Sequence, residues 1–473
     1  MKVKKKERMY QLQMMKLLHL LLTVAVFFLF FLLFRYDSLQ NIKSYGFRYN
    51  IFVTVVYGVM LYWLHRTYNA YLLGFSSIRT LVFGQFTSQA FSVVIIYFVV
   101  SIGWFTLRAP WVFLPMLAIQ FLLDLLWSWL ATKYYIKITP AKKTILIYRS
   151  ERDLRRLESV LEKSKPFFRI EKKLKFDGSF DELKDTLADY HGVFVCGVNA
   201  SCQNEILKYC RLRGISMLLL PHVGDILMQD ASHIQSFDTP VLYSNKKFLK
   251  PGYRFFKRVF DILVSALLLL LLSPLMLLIV LFIKLYDHGP VIYRQTRLTK
   301  DGKEFCILKF RSMRVDAEMD GVARLSSGDH DDRITPVGRI LRKIRLDELP
   351  QLWNILSGDM SMVGPRPERP EIAEEYYKIF PDFRLRLQVK AGLTGYAQVY
   401  GRYNSDPFEK LEFDLLYINK MSILTDLQLC FATFATFFSK DSTKGVEEGS
   451  LTALSPAEAM GEEASRDHFA NVG

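Results

Sequence analysis

Two adjacent carboxylates, Asp347 and Glu348, stand in the stretch RLDELPQLWNILSGDMSMVGPRPE (residues 345–368) with basic residues on both sides. Arg333, Arg339, Arg342, Lys343 and Arg345 precede the pair, and Arg366 and Arg369 follow it. An aspartate is ionised at neutral pH and can attack phosphorus to give an acyl phosphate. A neighbouring carboxylate can help hold Mg²⁺, which neutralises phosphate oxygens. Pro365 and Pro367 fix the backbone around Arg366, so its guanidinium is presented at lower entropic cost. Together these groups suit phosphoryl transfer, with Asp347 as nucleophile and Asp347 and Glu348 as the metal-binding pair. A purely structural reading competes with it. Asp347 is a good helix cap, Glu348 suits a first turn, and Pro350 is tolerated there. Leu349, Leu352, Trp353 and Leu356 then follow at helical spacing, and Gly358 would end that helix.

The chain around this stretch is 473 residues long, enough for two or three domains. It combines a formal charge of +15 with 51% hydrophobic residues. That combination fits a membrane protein whose basic face meets anionic lipid or phosphorylated substrates. It argues against a nucleic-acid binder, which seldom carries long apolar runs. Four such runs come first, at residues 17–34, 51–64, 90–107 and 111–130, each near the ~20 residues a bilayer requires. Lys2, Lys4, Lys5, Lys6, Arg8 and Lys16 precede them, and Lys133, Lys137, Lys142 and Lys143 follow. Four crossings with basic residues at both ends place both ends in the cytoplasm. No small-residue cleavage site follows Phe34, so the first run reads as a span and not a signal peptide. The five cysteines, Cys196, Cys202, Cys210, Cys306 and Cys430, form no CxxC pair and are expected to be reduced, buried thiols on the cytosolic side.

Residues 143–245 alternate strand-like and helix-like segments, which predicts a small open parallel sheet. Its first strand–helix turn, YRSERDL, has no glycine to let phosphate approach the backbone, so a dinucleotide site is not expected there. A structural or regulatory role, such as oligomer contacts, fits better. Next comes VFDILVSALLLLLLSPLMLLIVLFIKLY (residues 259–286). Lys250, Arg254, Lys257 and Arg258 lie before it, and Lys284, Arg294 and Arg297 at its end and after it, so both ends prefer the cytoplasm. Pro274 breaks a backbone hydrogen bond at mid-run, and Ser273 can bond the freed carbonyl. We therefore expect a re-entrant hairpin broken at Ser273-Pro274; the alternative is a fifth, kinked span.

After it, EFCILKFRSM reads as a strand leading to Lys309, Arg311 and Arg314. TPVGRILRKIRL reads as a helix capped by Thr335 with Pro336 at its first position. Val337, Ile340, Leu341 and Ile344 share one face, and Arg339, Arg342 and Lys343 lie elsewhere, a pattern suited to a membrane interface. Residues 442–473 lack apolar periodicity and are expected to be disordered. Gly449-Ser450 within them fits an artificial junction with non-native residues after it.

The segments KFRSM, DDRITPVGRILRKIRLDELPQLWNILSGDMSMVGPRPE and GLTGYAQVYGR, in this order, resemble the bacterial sugar transferases. These are the monotopic polyprenyl-phosphate phosphoglycosyl transferases that start capsule, exopolysaccharide and O-antigen repeat units. The resemblance covers about residues 254–440, and the segments before it resemble the larger members of the family. It implies a membrane protein with four transmembrane helices (17–135), a Rossmann-like α/β open parallel-sheet domain (143–245) and a C-terminal α+β catalytic domain (254–441) carrying a re-entrant helix (259–286). It also implies Asp347 as nucleophile, Glu348 as the Mg²⁺-binding partner, and Lys309 and Asp426 in the active site, with Asp414 a rival to Asp426. Arg366, between Pro365 and Pro367, would bind the phosphates or uridine of a nucleotide sugar, and Arg311 joins the substrate-binding set. The position before LDELPQ is commonly a small hydroxyl residue in relatives; here it is Arg345, which is expected to change local substrate contacts. The implied reaction moves hexose-1-phosphate from a UDP-hexose to undecaprenyl phosphate, giving undecaprenyl-diphosphate-hexose and UMP. It would run on the cytoplasmic face of the inner membrane, with the bilayer as partner, a homo-oligomer allowed and no nucleic acid involved. A lipid-diphosphate phosphatase and a non-catalytic scaffold of polysaccharide assembly are the alternatives.

Overall fold

A computed structural model describes residues 2–36, 47–103, 110–164, 166–229, 231–236, 239–244, 251–314, 333–401 and 407–436. The expected disordered tail, 442–473, lies outside these residues. The chain divides into two units, Met1–His222 and Val223–Gly473.

The first unit opens with four long apolar helices, α1 (Lys2–Tyr36), α2 (Phe47–Thr67), α3 (Ile78–Gly103) and α4 (Phe113–Ile138). Each contains a stretch long and apolar enough to cross a membrane. Phe27, Phe31, Tyr57, Leu61, Val93, Ile96 and Met116 pack between them, while residues such as Leu29, Val59, Val99 and Leu122 face outward. α3 starts twelve residues before the apolar run at Ala90 that signalled it. Its first turns carry Gln85, Ser88 and Gln89, which are buried inside the helix group. Gln89 Nε2 donates to Asp124 Oδ1 at 2.9 Å, His19 Nε2 lies 3.1 Å from the same oxygen, and Ser128 donates to Gln85 Oε1 at 3.2 Å. Polar groups that pair across apolar helices erase the hydropathy signal without breaking the helix.

The same unit continues as an α/β sheet. Strands β1 (Lys142–Tyr148), β2 (Phe168–Lys175), β3 (Gly192–Cys196) and β4 (Ser216–Leu219) lie parallel in the order β2-β1-β3-β4. Helices α5 (Glu151–Ser164), α6 (Phe180–Leu187) and α7 (Ala200–Arg213) alternate with them. The strand order reverses between β1 and β3, the place where such sheets usually hold a ligand beyond their carboxyl ends. Here Asp153 fills that place. Its Oδ2 accepts from Ser150 N at 3.0 Å and from the Ser150 hydroxyl at 2.8 Å, and its Oδ1 from Cys196 Sγ at 3.4 Å. A carboxylate thus takes the turn donors that a phosphate would need. Gly197, at φ 74°, leaves room for it, since a Cβ there would collide with Asp153 Oδ2.

Helix α8 (Val223–Met228) and the antiparallel pair β5 (Ser232–Ser236) and β6 (Thr239–Tyr243) were grouped by sequence with the sheet domain but fall in the second unit. Ile226 is fully buried in that unit's core with Leu352, Phe383 and Leu415, and Asn419 Nδ2 donates to its carbonyl at 2.6 Å.

The second unit is built on α9 (Pro251–Asp287), one uninterrupted helix of 37 residues with Pro274 inside it. α9 stays helical through Ser273-Pro274, where the hairpin break is expected. The physical reason is local: Pro274 has no N–H for the Leu270 carbonyl, and Ser273 Oγ donates to that carbonyl at 2.8 Å. Both halves of α9 pack on the same body. Phe260, Val264, Leu268 and Leu269 lie against the main core, and Ile279 and Ile283 meet Phe310 and Leu341. Leu267, Leu270, Leu271, Leu277, Leu278 and Leu281 remain exposed.

Behind α9 lie the antiparallel hairpin β7 (Ile292–Leu298) and β8 (Glu304–Phe310), then α10 (Pro336–Lys343) and α11 (Gln351–Ser357). The short parallel pair β9 (Ser361–Val363) and β10 (Gly392–Thr394) brackets α12 (Pro370–Ile379), and α13 (Tyr396–Tyr400), α14 (Pro407–Asn419) and α15 (Ile423–Thr436) complete the unit. Cys196, Cys202 and Cys210 are buried as expected and Cys430 is half-buried, but Cys306 is exposed. It points outward from β8 while its neighbours Phe305 and Ile307 point into the core.

Candidate active site

The carboxylate pair sits where one helix ends and another has not begun. α10 starts as its sequence implies, with Gly338 N donating to Thr335 Oγ1 at 2.9 Å and Pro336 in the first turn. The chain then turns through Arg345 at φ 54°, ψ 24°, the left-handed region that a non-glycine residue enters only at some strain. Leu346–Glu348 form a single 3₁₀ turn, and α11 begins only at Gln351, after Pro350. The helix-cap reading of Asp347 is thereby corrected: Pro350 occupies the cap position. Gly358 does end α11, at φ 101°, with its N–H bonded to the Asn354 and Ile355 carbonyls.

The Asn354 side chain ties α11 to β8, alongside the packing of Phe305 and Ile307 in one core with Leu352 and Ile355. Asn354 Nδ2 donates to Cys306 O at 2.8 Å, and its Oδ1 accepts from Leu308 N at 3.0 Å. That amide fixes the strand so that Lys309 reaches the pair, with its Nζ 3.8 Å from Glu348 Oε1. From the other side Arg366 Nη2 donates to the same oxygen at 2.8 Å. Lys309, Glu348 and Arg366 are thus brought together from β8, the 3₁₀ turn and the loop after β9.

The two neighbouring acids are driven in opposite directions. Burial acts to raise the Glu348 pKa, but the charges of Arg366, Lys309 and Arg345 outweigh it and hold this carboxyl well below the usual range. Asp347 is raised, first by burial and then by the negative charge of Glu348, with Lys309, Arg342 and Arg366 opposing. Lys309 is lowered to about 8, chiefly by burial. One permanent anion beside a more basic carboxylate and a softened lysine is an arrangement in which the two acids have separate roles.

Arg311 is buried, with its guanidinium against Gly289, where a side chain would collide with it. Asp426 is corrected as a substrate contact. It is 0% exposed, with Lys257 Nζ at 2.8 Å, Tyr253 Oη at 3.2 Å and Tyr417 Oη at 2.8 Å. An inaccessible carboxylate whose oxygens are already engaged cannot touch a substrate; this one anchors α15 to α9. Its rival Asp414 is equally buried and accepts from Arg386 Nε at 2.8 Å.

Sequence reasoning missed the residues that dock α9. Besides Lys257, Arg258 donates to the Ile355 and Leu356 carbonyls at 2.7 and 2.8 Å, favourable for a cation at the C-terminal end of α11. Asp261 Oδ1 accepts from Met362 N at 3.0 Å and Ser361 Oγ at 3.1 Å. The available signal was three charges, KR followed by D at the i, i+4 spacing from Lys257, at the edge of a segment that is otherwise apolar.

A family model described as bacterial sugar transferase matches residues 252–440. Over 193 residues the chain is 45% identical to a UDP-glucose:undecaprenyl-phosphate glucose-1-phosphate transferase of Klebsiella pneumoniae, covering 40% of this chain and 41% of that protein. It is 40% identical over 192 residues to a UDP-N-acetylgalactosamine-undecaprenyl-phosphate N-acetylgalactosaminephosphotransferase of Aeromonas hydrophila, covering 40% and 45%. It is 42% identical over 191 residues to a UDP-glucose:undecaprenyl-phosphate glucose-1-phosphate transferase of Caulobacter vibrioides, covering 39% of this chain and 71% of that protein. The match thus spans less than half the length of the first two relatives.

Proposed function

The chain belongs to the bacterial sugar transferase family, and on that premise we propose that it transfers a sugar-1-phosphate from a UDP-sugar to undecaprenyl phosphate, releasing UMP. The observation that carries this reading is the Asp347–Glu348 pair with Lys309 and Arg366 converging on Glu348. Asp347 Oδ attacks the sugar-bearing phosphorus; the new P–O bond forms as the bond to UMP breaks, and UMP leaves with the electron pair. An oxygen of the lipid phosphate then attacks the same phosphorus, and Asp347 leaves as a free carboxylate. Arg366 and Lys309 supply positive charge beside the reacting phosphates, where it is worth most in a partly buried site. Because Asp347 must be ionised to attack, turnover falls as pH drops through its raised pKa, about 6.

Among the described residues no cluster of three or more His, Cys, Asp and Glu side chains is placed to hold a metal by itself. Mg²⁺ is commonly bound by one or two carboxylates together with substrate phosphates, and Asp347 and Glu348 offer that donor set. Bound there, Mg²⁺ would neutralise charge on the phosphate oxygens.

The test is product formation. Purified protein given UDP-glucose, UDP-galactose or UDP-N-acetylgalactosamine with Mg²⁺ and undecaprenyl phosphate should release UMP with one of them. Phosphate release from undecaprenyl diphosphate instead would favour a phosphatase, and no turnover of either kind a scaffold. The relatives differ in the sugar they are named for, and no motif here reads the hexose.

We place the catalytic unit on the cytoplasmic face. The basic flanks of α9 and the packing of both its halves on one body support keeping both its ends on one side, with the exposed leucines in lipid. Single cysteines at Arg254 and at Tyr286 should both react with impermeant thiol reagents only from the cytoplasmic side. Labelling of one of them from outside would establish a spanning helix.

A further inference from the structure

The loop that carries Arg366 is held in an unusual way. Two of its residues, Pro365 and Pro367, have no N–H, so it is tied largely through carbonyls. Four consecutive carbonyls each accept from a different donor. Pro365 O accepts from Gly392 N at 2.9 Å, Arg366 O from Arg386 Nη2 at 2.9 Å, Pro367 O from Arg297 Nη1 at 3.2 Å, and Glu368 O from Leu298 N at 3.0 Å. Two of these donors are arginine side chains, Arg386 buried and Arg297 half-buried. Arg386 also meets Asp414 at 2.8 Å and Glu368 at 3.5 Å, and stacks on Phe383 with its guanidinium carbon 4.6 Å from the ring centre. Lys410 adds a contact to Glu368 at 3.7 Å. Arg297 is fixed in turn by Gln295 Oε1 at 2.7 Å.

We propose that Arg386 and Arg297 are positioning residues that hold the Arg366 backbone so that its guanidinium meets Glu348. A buried guanidinium paired with two carboxylates is on its face only a structural tie. What goes beyond that is the direction of its remaining donor, onto the carbonyl of the very residue that grips the catalytic pair. Displacement of about 1 Å at a positioned charge lowers catalysis by up to roughly a hundredfold. Lysine in either place keeps the charge but loses the planar fork, which in Arg386 reaches a carboxylate and a carbonyl at once and in Arg297 an amide oxygen and a carbonyl.

The inference rests on the proposed reaction, and its test separates the two. Full-length wild type, Arg386→Lys and Arg297→Lys are compared with whichever of the three UDP-sugars the wild type turns over. Folded fraction, kcat and KM are measured for each. Both variants should lose roughly ten- to a hundredfold in kcat per folded molecule, a larger change than in KM. Unchanged kcat per folded molecule, with only stability lowered, would overturn the inference and leave the reaction standing. Arg297→Lys, which touches the loop through a single bond, decides the matter if Arg386→Lys does not fold. A wild type that releases no UMP from any donor sinks the reaction instead.

Discussion

Asp347→Asn should bring turnover down to background while the protein stays folded. The amide keeps the shape of the side chain but cannot form an acyl phosphate, so no rate is left except the uncatalysed one. Removing a covalent nucleophile costs roughly 10⁴-fold or more in kcat. A helix cap would behave differently, with about 1 kcal/mol of stability lost and activity falling only with the folded fraction. The 3₁₀ turn across Leu346–Glu348 already argues against that outcome, because α11 starts after Asp347 and is preceded by Pro350. Thermal unfolding and kcat measured on the same preparation separate the two.

Glu348→Gln should lower the rate about a hundred- to a thousandfold, the ~2.7–4 kcal/mol that one lost electrostatic contact in an active site is worth. Two causes can produce that loss, and they differ in what rescues it. If Glu348 holds Mg²⁺, the variant should need more Mg²⁺ and regain part of its rate when given it. If Glu348 serves only as the counter-charge of Arg366 and Lys309, added Mg²⁺ will do nothing. The 2.8 Å contact from Arg366 makes the second cause a real competitor, since that guanidinium and a metal compete for the negative charge of one carboxylate.

What was legible in the sequence was local or periodic. The strands of the β2-β1-β3-β4 sheet, the Thr335-Pro336 start of α10 and the Gly358 end of α11 each depend on a few neighbouring residues, and each formed where the pattern put it. The adjacency of Asp347 and Glu348 was legible because the two acids are bonded neighbours. Contacts made across long loops were not. Asp426 meets Lys257 from 169 positions away and Arg386 meets Arg366 from 20, and nothing in either local pattern says which partner a buried charge will find. The Ser273 bond to the carbonyl that Pro274 leaves free was legible for the same reason as the acid pair, since the two residues are neighbours. α3 began early because its buried Gln85 and Gln89 pair with Ser128 and Asp124 of α4 instead of meeting solvent.

The central claim is that Asp347 becomes covalently attached to the phosphosugar. Wild-type protein incubated with its UDP-sugar and Mg²⁺, without lipid acceptor, and then rapidly quenched is the most direct test. It should release up to one UMP per active site and gain the mass of one sugar-phosphate, mapped by peptide analysis to Asp347 and absent from Asp347→Asn. If full turnover with lipid present is accompanied by no UMP release and no added mass when lipid is withheld, the transfer is a direct attack by the lipid phosphate and the covalent account is wrong.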